Sequence, residues 1–167
     1  IWSELDNYHP KAKVIVKSGA VLALKTSTHF TNPTTLDGGH WEVRNGGQII
    51  FPEPIKKLEG VNWTGNSLTK VETVTGPNSK LKRTDSITHT KPLTVSDGAE
   101  VSTSENCRVT MPACELSTGG RLSGAGSYIL TVGSLGVNSG IISPGESPGT
   151  LTVDGAVVFT SASTYEW

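Results

Sequence analysis

The sequence predicts an all-β fold and, within that class, a parallel β-solenoid in which the chain winds through stacked coils. A short pattern recurs along the chain: an aliphatic residue, any residue, a small polar residue, Gly, usually Ala or Gly, any residue, and a second aliphatic residue. Its copies lie about 20 to 30 residues apart in most cases, which is the repeat of stacked coils. No stretch has the length and the 3.6-residue period of an amphipathic helix.

Five copies of the pattern carry the prediction, and the central glycine of each is expected to form a corner, some with φ > 0. These glycines are Gly19, Gly46, Gly98, Gly119 and Gly140, of which the last three follow one another at intervals of 21 residues. The interval from Gly46 to Gly98 is 52 residues, so one degenerate copy is expected between them, at 74–77. Antiparallel hairpins would repeat every 8 to 12 residues or so. A β-sandwich or jelly roll is the alternative fold.

The aliphatic residues that flank the corner glycines are predicted to point inward and to stack, coil on coil, about 4.8 Å apart. They are Val16, Val21, Val43, Ile49, Val95, Val101, Leu116, Leu122, Val137 and Ile142.

The chain divides by regularity into two parts of one continuous domain. Residues 1–115 are predicted to form irregular coils interrupted by polar excursions, such as the Thr-, Asn- and Gly-rich stretch 29–39. Residues 116–167 are predicted to form tighter and more regular coils. The first residue is Ile1 and no signal-peptide pattern follows it, so the chain is expected to be a segment of a larger protein.

Composition argues against several classes of function. Only 35% of the residues are hydrophobic and 17% are charged, with 19 Gly, which suits thin coils with a polar exterior. The net charge of −1 gives no attraction to nucleic acid or to an anionic membrane. No apolar run approaches the roughly 20 residues of a membrane helix.

The stretch 139–155 reads as two short strands separated by a doubled Ser-Pro-Gly element, with a turn at Asp154-Gly155. This stretch resembles the passenger-associated repeat of autotransporters and related bacterial surface proteins, through Gly140, Ile141, Pro144, Gly145, Ser147, Gly149, Thr150, Leu151, Val153 and Gly155. The resemblance implies a coil of a right-handed parallel β-helix. It also implies a secreted or surface-exposed scaffold, with no enzymatic reaction and no cofactor.

The two cysteines, Cys107 and Cys114, are separated by six residues. In an extracellular protein this spacing favours a local disulfide, whose closed loop would stabilise the fold by roughly 2.5 kcal/mol. The alternative is two buried free thiols. A metal site is not expected, because the spacing differs from that of zinc knuckles and no His pair accompanies the cysteines.

Aromatic residues offer a candidate ligand site. Trp41 beside His40, together with Trp63, could stack against sugars and form a glycan contact. The alternative is that these tryptophans fill irregular coils. Asp97 and Glu100 flank a corner and could serve glycan cleavage, although no spacing requires their carboxylates to converge.

Two functions follow from these observations. The first is an extracellular structural or adhesive module that projects from a cell surface or assembles in a filament or sheath, with copies of itself or further solenoid coils as partners. The second is a glycan-binding or glycan-cleaving β-helix enzyme. The charged residues are spread thinly instead of clustering, which favours the first function and a protein that is not an enzyme.

Overall fold

The computed structural model describes residues 13–17, 20–23, 34–44, 47–51, 53–65, 68–145 and 149–166. Within these ranges every regular element is a β-strand, and the strands pair in parallel. The predicted β-solenoid is therefore confirmed, whereas a sandwich or jelly roll would require antiparallel sheets. The described ranges contain no helix of the length and apolar character needed to cross a membrane.

Eight strands form one continuous sheet, called here the first face. In order across the sheet they are β1 (Lys13–Val16), β4 (His40–Val43), β7 (Asn62–Thr64), β9 (Lys80–Arg83), β12 (Glu100–Thr103), β15 (Arg121–Gly124), β17 (Ile141–Pro144) and β19 (Thr164–Tyr165). The strand pairing crosses the predicted division at 115/116 without a break, because β12 pairs with β15.

A second sheet supplies the other two sides of each coil, and its longest strand, β16 (Ser127–Asn138), runs along both of them. The second face consists of β10 (Ile87–Thr88), β13 (Arg108–Met111) and the first half of β16. The third face consists of β3 (Thr35–Asp37), β6 (Lys57–Glu59), β8 (Thr73–Thr75), β11 (Leu93–Val95), β14 (Cys114–Ser117) and the second half of β16. β18 (Thr152–Phe159) pairs with both halves of β16, and β2 (Val21–Ala23) pairs separately with β5 (Gln48–Ile50).

The length of each coil can be measured on the third face, where equivalent residues pair in register. Leu58 pairs with Val74, Val74 with Val95, and Val95 with Leu116. The corresponding coil lengths are 16, 21 and 21 residues, so one coil is markedly shorter than those above it. The predicted degenerate copy at 74–77 is confirmed by the pairing of Val74 and by the φ of 90° at Gly76. Gly60, with a φ of 63°, marks another copy that the pattern did not reveal.

The corner glycines behave as predicted at Gly98 and Gly119, both of which have a φ of 75°. Gly140 also lies at a corner, between β16 and β17, but its register differs by one residue from that of Gly119. Arg121 pairs with Ile141, so Gly140 lies level with Gly120, and Ser139 takes the left-handed conformation with a φ of 55°. Gly19 and Gly46 lie outside the described residues.

The core consists of inward-pointing ladders, one residue per coil. On the third face the ladder is Leu36, Leu58, Val74, Val95, Leu116 and Val137, each at most 1% exposed. Nine of the ten predicted core residues are buried, and Val21 is the exception at 52% exposure. Leu22 pairs with Ile49 and packs against the core in its place.

Candidate functional site

The surface with the clearest potential for binding is the outer edge of β18, the last long strand of the solenoid. Among the strands of the described ranges, β18 pairs only with β16. Its other edge therefore presents backbone N–H and C=O groups that can pair with an added strand. An edge of eight residues is long for an exposed strand, because natural proteins usually keep such edges short.

The side chains of β18 that continue the core ladders are exposed, because β16 is the only described strand that pairs with β18. Phe159 lies level with buried Val137 and is 51% exposed, and Val157 lies level with buried Leu135 and is 36% exposed. Val158, on the outward side of the strand, is 54% exposed. These three residues, called here the terminal patch, are the kind of apolar surface that marks an interaction site.

The glycines of the stretch 139–155 explain why the chain can form this last coil. A Cβ on Gly140 would lie 2.4 Å from Cβ of Leu116, and one on Gly149 would lie 2.6 Å from the carbonyl oxygen of Gly145. Both positions therefore require glycine for close packing. Gly155 adopts a φ of 141°. The predicted turn at Asp154-Gly155 takes the form of a corner within β18, because the register with β16 shifts there and the chain passes from the second face to the third.

The β18 edge has little of the protection that prevents strand addition. Such protection usually comes from Lys, Pro or inward-pointing charges, and β18 contains neither Lys nor Pro and only one charged residue, Asp154. Asp154 lies near the start of the strand, before the terminal patch. The last four residues of β18, from Ala156 to Phe159, are all apolar.

A groove of about 280 Å³ lies on the third face. Ser134 and Gly136 line it, and these two residues pair with Ala156 and Val158 of β18. Glu115 and Asn138 contribute polar groups to its wall. The groove therefore lies on the paired side of β18 and is separate from the terminal patch.

The predicted disulfide between Cys107 and Cys114 is not present, and both cysteines are free and buried. The carbonyl of Cys107 accepts a hydrogen bond from the N–H of Ser127, whereas Cys114 lies level with Leu135 on the same long strand. Cys107 directly precedes β13 on the second face, and Cys114 begins β14 on the third face, so a four-residue strand and a corner separate the two thiols. Burial raises the pKa of the Cys114 thiol to about 12, and burial together with Asp85 raises that of Cys107.

The predicted glycan contact through Trp41 and Trp63 is also wrong, because both side chains are inside the core, at 1% and 0% exposure. Their rings stack with centroids 6.2 Å apart and an interplanar angle of 21°, and Phe51 packs 6.2 Å from each ring. The alternation of β4 places His40 on the opposite side of the sheet, where it is half-buried and level with Asn62. His40 is thus separated from the tryptophans, and its contact with a glycan stays a prediction.

The carboxylates of Asp97 and Glu100 are held apart by different partners. Asp97 accepts hydrogen bonds from Thr75 and Ser96, which hold the pKa of this exposed carboxyl below its usual range. Glu100 accepts a hydrogen bond from Ser123 at 2.6 Å and forms an ion pair with Lys80 at 3.4 Å. The contacts of Asp97 stabilise a corner, and those of Glu100 stabilise the surface of the first face. The two carboxylates share no partner among these contacts.

The fold defines the class of this protein as a parallel β-solenoid, and in the described part of the chain one edge of β18 is unpaired. Comparison of the chain with models of known protein families, with curated proteins and with solved structures found no match.

Proposed function

We propose that this chain is an extracellular structural or adhesive module, which assembles on a cell surface or in a filament or sheath when parallel β-coils of further copies add to β18. The observation that carries the proposal is the terminal patch on an edge that no other described strand occupies. Each residue of the patch that continues a core ladder would be buried by the next coil.

The fold supports the addition of a further coil whose strand runs parallel to β18. The strands of neighbouring coils in the described ranges pair in parallel, and aliphatic residues stack in the ladder of the third face, so an added coil would repeat contacts that already stabilise the solenoid. Adding a coil at one end is a heterologous contact, in which the two partners use different surfaces. Such a contact generates a filament when it does not close into a ring.

The extracellular part of the proposal rests on the resemblance of residues 139–155 to the autotransporter passenger repeat. The described residues of this stretch form β17 and the first part of β18, and Gly140 and Gly149 are required there for close packing. A scaffold of this kind needs a regular stack, which the described coils provide.

The test is the mass of the purified chain, measured by light scattering and sedimentation over a range of concentrations. We expect the mass to rise above the 17.6 kDa of one chain as the concentration increases, and electron microscopy to show end-to-end filaments. The double variant Val157→Lys/Phe159→Lys should remain at 17.6 kDa, because an inward-pointing charge on an edge strand blocks stacking.

The matched control is Val132→Lys. Val132 is an apolar residue of β16 that is 88% exposed and lies in the irregular segment between Ile129 and Ser134, where β16 and β18 shift in register. This variant should assemble like the natural chain. The proposal is contradicted by a natural chain that stays monomeric at all concentrations, or by Val132→Lys and the double variant losing assembly equally.

A further inference from the structure

Gly136 is a glycine inside a strand whose presence the packing of the solenoid does not explain. It lies in β16 on the outward side of the third face, where it pairs in register with Glu115 and Val158. Its φ lies outside the left-handed region. A Cβ built on Gly136 would meet nothing closer than the carbonyl oxygen of Cys114, at 3.9 Å. Neither the backbone conformation nor close packing therefore requires glycine at this position.

A glycine inside a strand weakens it, and it usually marks a bulge, a tight bend, or a surface that a ligand or another backbone approaches closely. The register shift of β16 lies between Ile129 and Ser134, so Gly136 is beyond it. No backbone of the described ranges crowds the place that a Cβ would occupy. The explanation that remains is that the absent side chain leaves room for a ligand.

Gly136 lines the groove of the third face, so a side chain there would enter this groove. The groove crosses β11, β14 and β16, which belong to three neighbouring coils and span about 10 Å. Its volume of about 280 Å³ lies just below the range of pockets that hold drug-sized molecules. These dimensions suit a ligand of one ring.

Polar side chains surround Gly136 in the groove. Thr94 and Glu115 lie below it in the same outward column, because Thr94 pairs with Glu115 and Glu115 pairs with Gly136. Ser134 and Asn138 flank Gly136 along β16, two residues away on either side. Glu115 and Asn138 are exposed. None of the ion pairs in the described part of the chain includes Glu115.

We propose that this groove binds a neutral pyranose sugar, with the ring of the sugar over Gly136. Hydroxyl groups of the sugar donate to the carboxylate of Glu115 and to the amide oxygen of Asn138. Other oxygens of the sugar accept from the amide N–H of Asn138 and from the hydroxyls of Ser134 and Thr94. A polyol is suited to such a mixture of donors and acceptors, because each of its hydroxyl groups can both donate and accept.

The lining of the groove favours a neutral ligand over a charged one. It includes one carboxylate and, among the described residues, no cationic side chain, so it repels an anion. An ammonium group would pair with Glu115, but an exposed ion pair contributes little to affinity. Pro92 and Ala113 provide apolar contact for the C–H groups of a sugar ring. Since these lining residues include no aromatic ring, we expect a dissociation constant in the millimolar range.

The test is an NMR titration of the dilute natural chain with the methyl pyranosides of glucose, galactose and mannose. We expect saturable shifts of the amides of Glu115, Gly136 and Asn138 with at least one of these sugars. The amides of Val157 and Phe159 should not shift, because the groove is separate from the terminal patch. The result is therefore independent of assembly through β18.

Two salts test the charged alternatives in the same titration. Methylammonium chloride and sodium acetate, at the concentrations used for the sugars, should leave the three groove amides unchanged. Saturable shifts with methylammonium and none with the pyranosides would show that the groove binds a cation, and the sugar proposal would be wrong. The absence of shifts with all three pyranosides overturns the proposal as well.

The variant Gly136→Val fills the groove and should abolish the pyranoside shifts. Its Tm should not fall, because Val is favoured in strands and its side chain enters open space. Thr110→Val is the matched control, since Thr110 is an outward residue of β13 that lies outside the groove. Thr110→Val should bind the sugar like the natural chain. Equal binding by Gly136→Val and the natural chain contradicts the proposal.

The variant Glu115→Gln gives a second measurement that does not depend on how a side chain at position 136 packs. It should weaken pyranoside binding by about tenfold, because hydrogen bonds to a charged acceptor are stronger than those to a neutral one. Glu59→Gln is its control, since Glu59 lies on the same face but outside the groove. An unchanged dissociation constant for Glu115→Gln removes the carboxylate from the site and overturns the proposal.

Discussion

At the scale of single residues, His89 is a group whose titration should change the stability of the fold. Burial, and then the adjacent charge of Arg83, lower its pKa from the ordinary 6.5 to about 4. Between these two values the unfolded chain binds a proton that the folded chain does not. The neutral ring therefore contributes to the free energy of unfolding above about pH 6.5. This contribution, roughly 3 kcal/mol in total, is lost as the pH falls toward 4.

This prediction can be checked by urea unfolding at several pH values in a buffer without halide. The variant His89→Gln should lose most of the pH dependence between pH 6.5 and 4, because Gln does not titrate there. His40→Gln is the matched control, since His40 is half-buried on the outer side of the first face. Equal pH profiles for the natural chain and His89→Gln would contradict the low pKa.

Several residue-scale features could have been predicted from the sequence, and others could not. Arg83 follows Leu81 at a spacing of two, and His89 follows Ile87 at the same spacing, so strand alternation already indicates that both point inward. The one-residue error at Val21 has a different cause. Val21, Leu22 and Ala23 are all aliphatic, so no polar residue marks the outward positions, and only the pairing with β5 decides the register.

At the scale of elements, Gly120 and Gly98 are both required at corners, but for different physical reasons. A Cβ on Gly120 would lie 2.0 Å from the carbonyl oxygen of Val95, which belongs to the coil below. A Cβ on Gly98 would meet nothing closer than 3.9 Å, but this residue has a φ of 75°. Gly120 is therefore required for packing between coils, and Gly98 is required for its backbone conformation.

We accordingly expect Gly98→Ala to decrease the free energy of unfolding by about 1 kcal/mol, the cost of a left-handed residue with a side chain. Gly120→Ala should cost about 3 kcal/mol, because a strand or the corner must move to relieve the overlap. Urea denaturation of the two variants measures both values. A smaller loss for Gly120→Ala than for Gly98→Ala would mean that the corners can adjust more easily than the packing indicates.

The repeat pattern predicted the existence of these corners correctly, because a small polar residue followed by glycine is the usual composition of a tight turn. The repeat pattern could not show which pair of faces a given corner connects. The copy at 43–50 connects β4 of the first face with β5, whereas Gly98 and Gly119 connect the third face with the first. The predicted disulfide is wrong for a related reason: residues seven apart can lie close together in a loop, whereas here they lie on two different faces of one coil.

At the scale of the whole molecule, each coil contacts mainly its two neighbours, so stability depends on position in the stack. The central coils have a neighbour on both sides, and their ladder residues, such as Val95 and Leu116, are fully buried. β18 has a described strand on one side only. The sequence revealed the stack through its period, but the composition of β18 alone does not indicate which of its edges is paired.

The open edge predicts an alternating pattern of hydrogen exchange along β18. The N–H groups of Thr152 and Thr160 donate to the carbonyls of Gly126 and Val137, on the side of β16. Because successive N–H groups of a parallel strand point to opposite sides, those of Val157 and Phe159 point toward the open edge. In dilute solution we expect the amides of Val157 and Phe159 to exchange quickly and those of Thr152 and Thr160 to exchange slowly.

Assembly should reverse this difference, since an added coil accepts hydrogen bonds from the outward amides. Residue-resolved exchange by NMR, on the dilute chain and on assembled material dissolved after labelling, measures both states. Slow exchange at Val157 and Phe159 only in the assembled material would locate the contact at β18. The double variant Val157→Lys/Phe159→Lys should keep fast exchange at these positions at every concentration. If the outward amides of the natural chain stay fast in filaments, the copies associate through another surface, and strand addition to β18 is wrong.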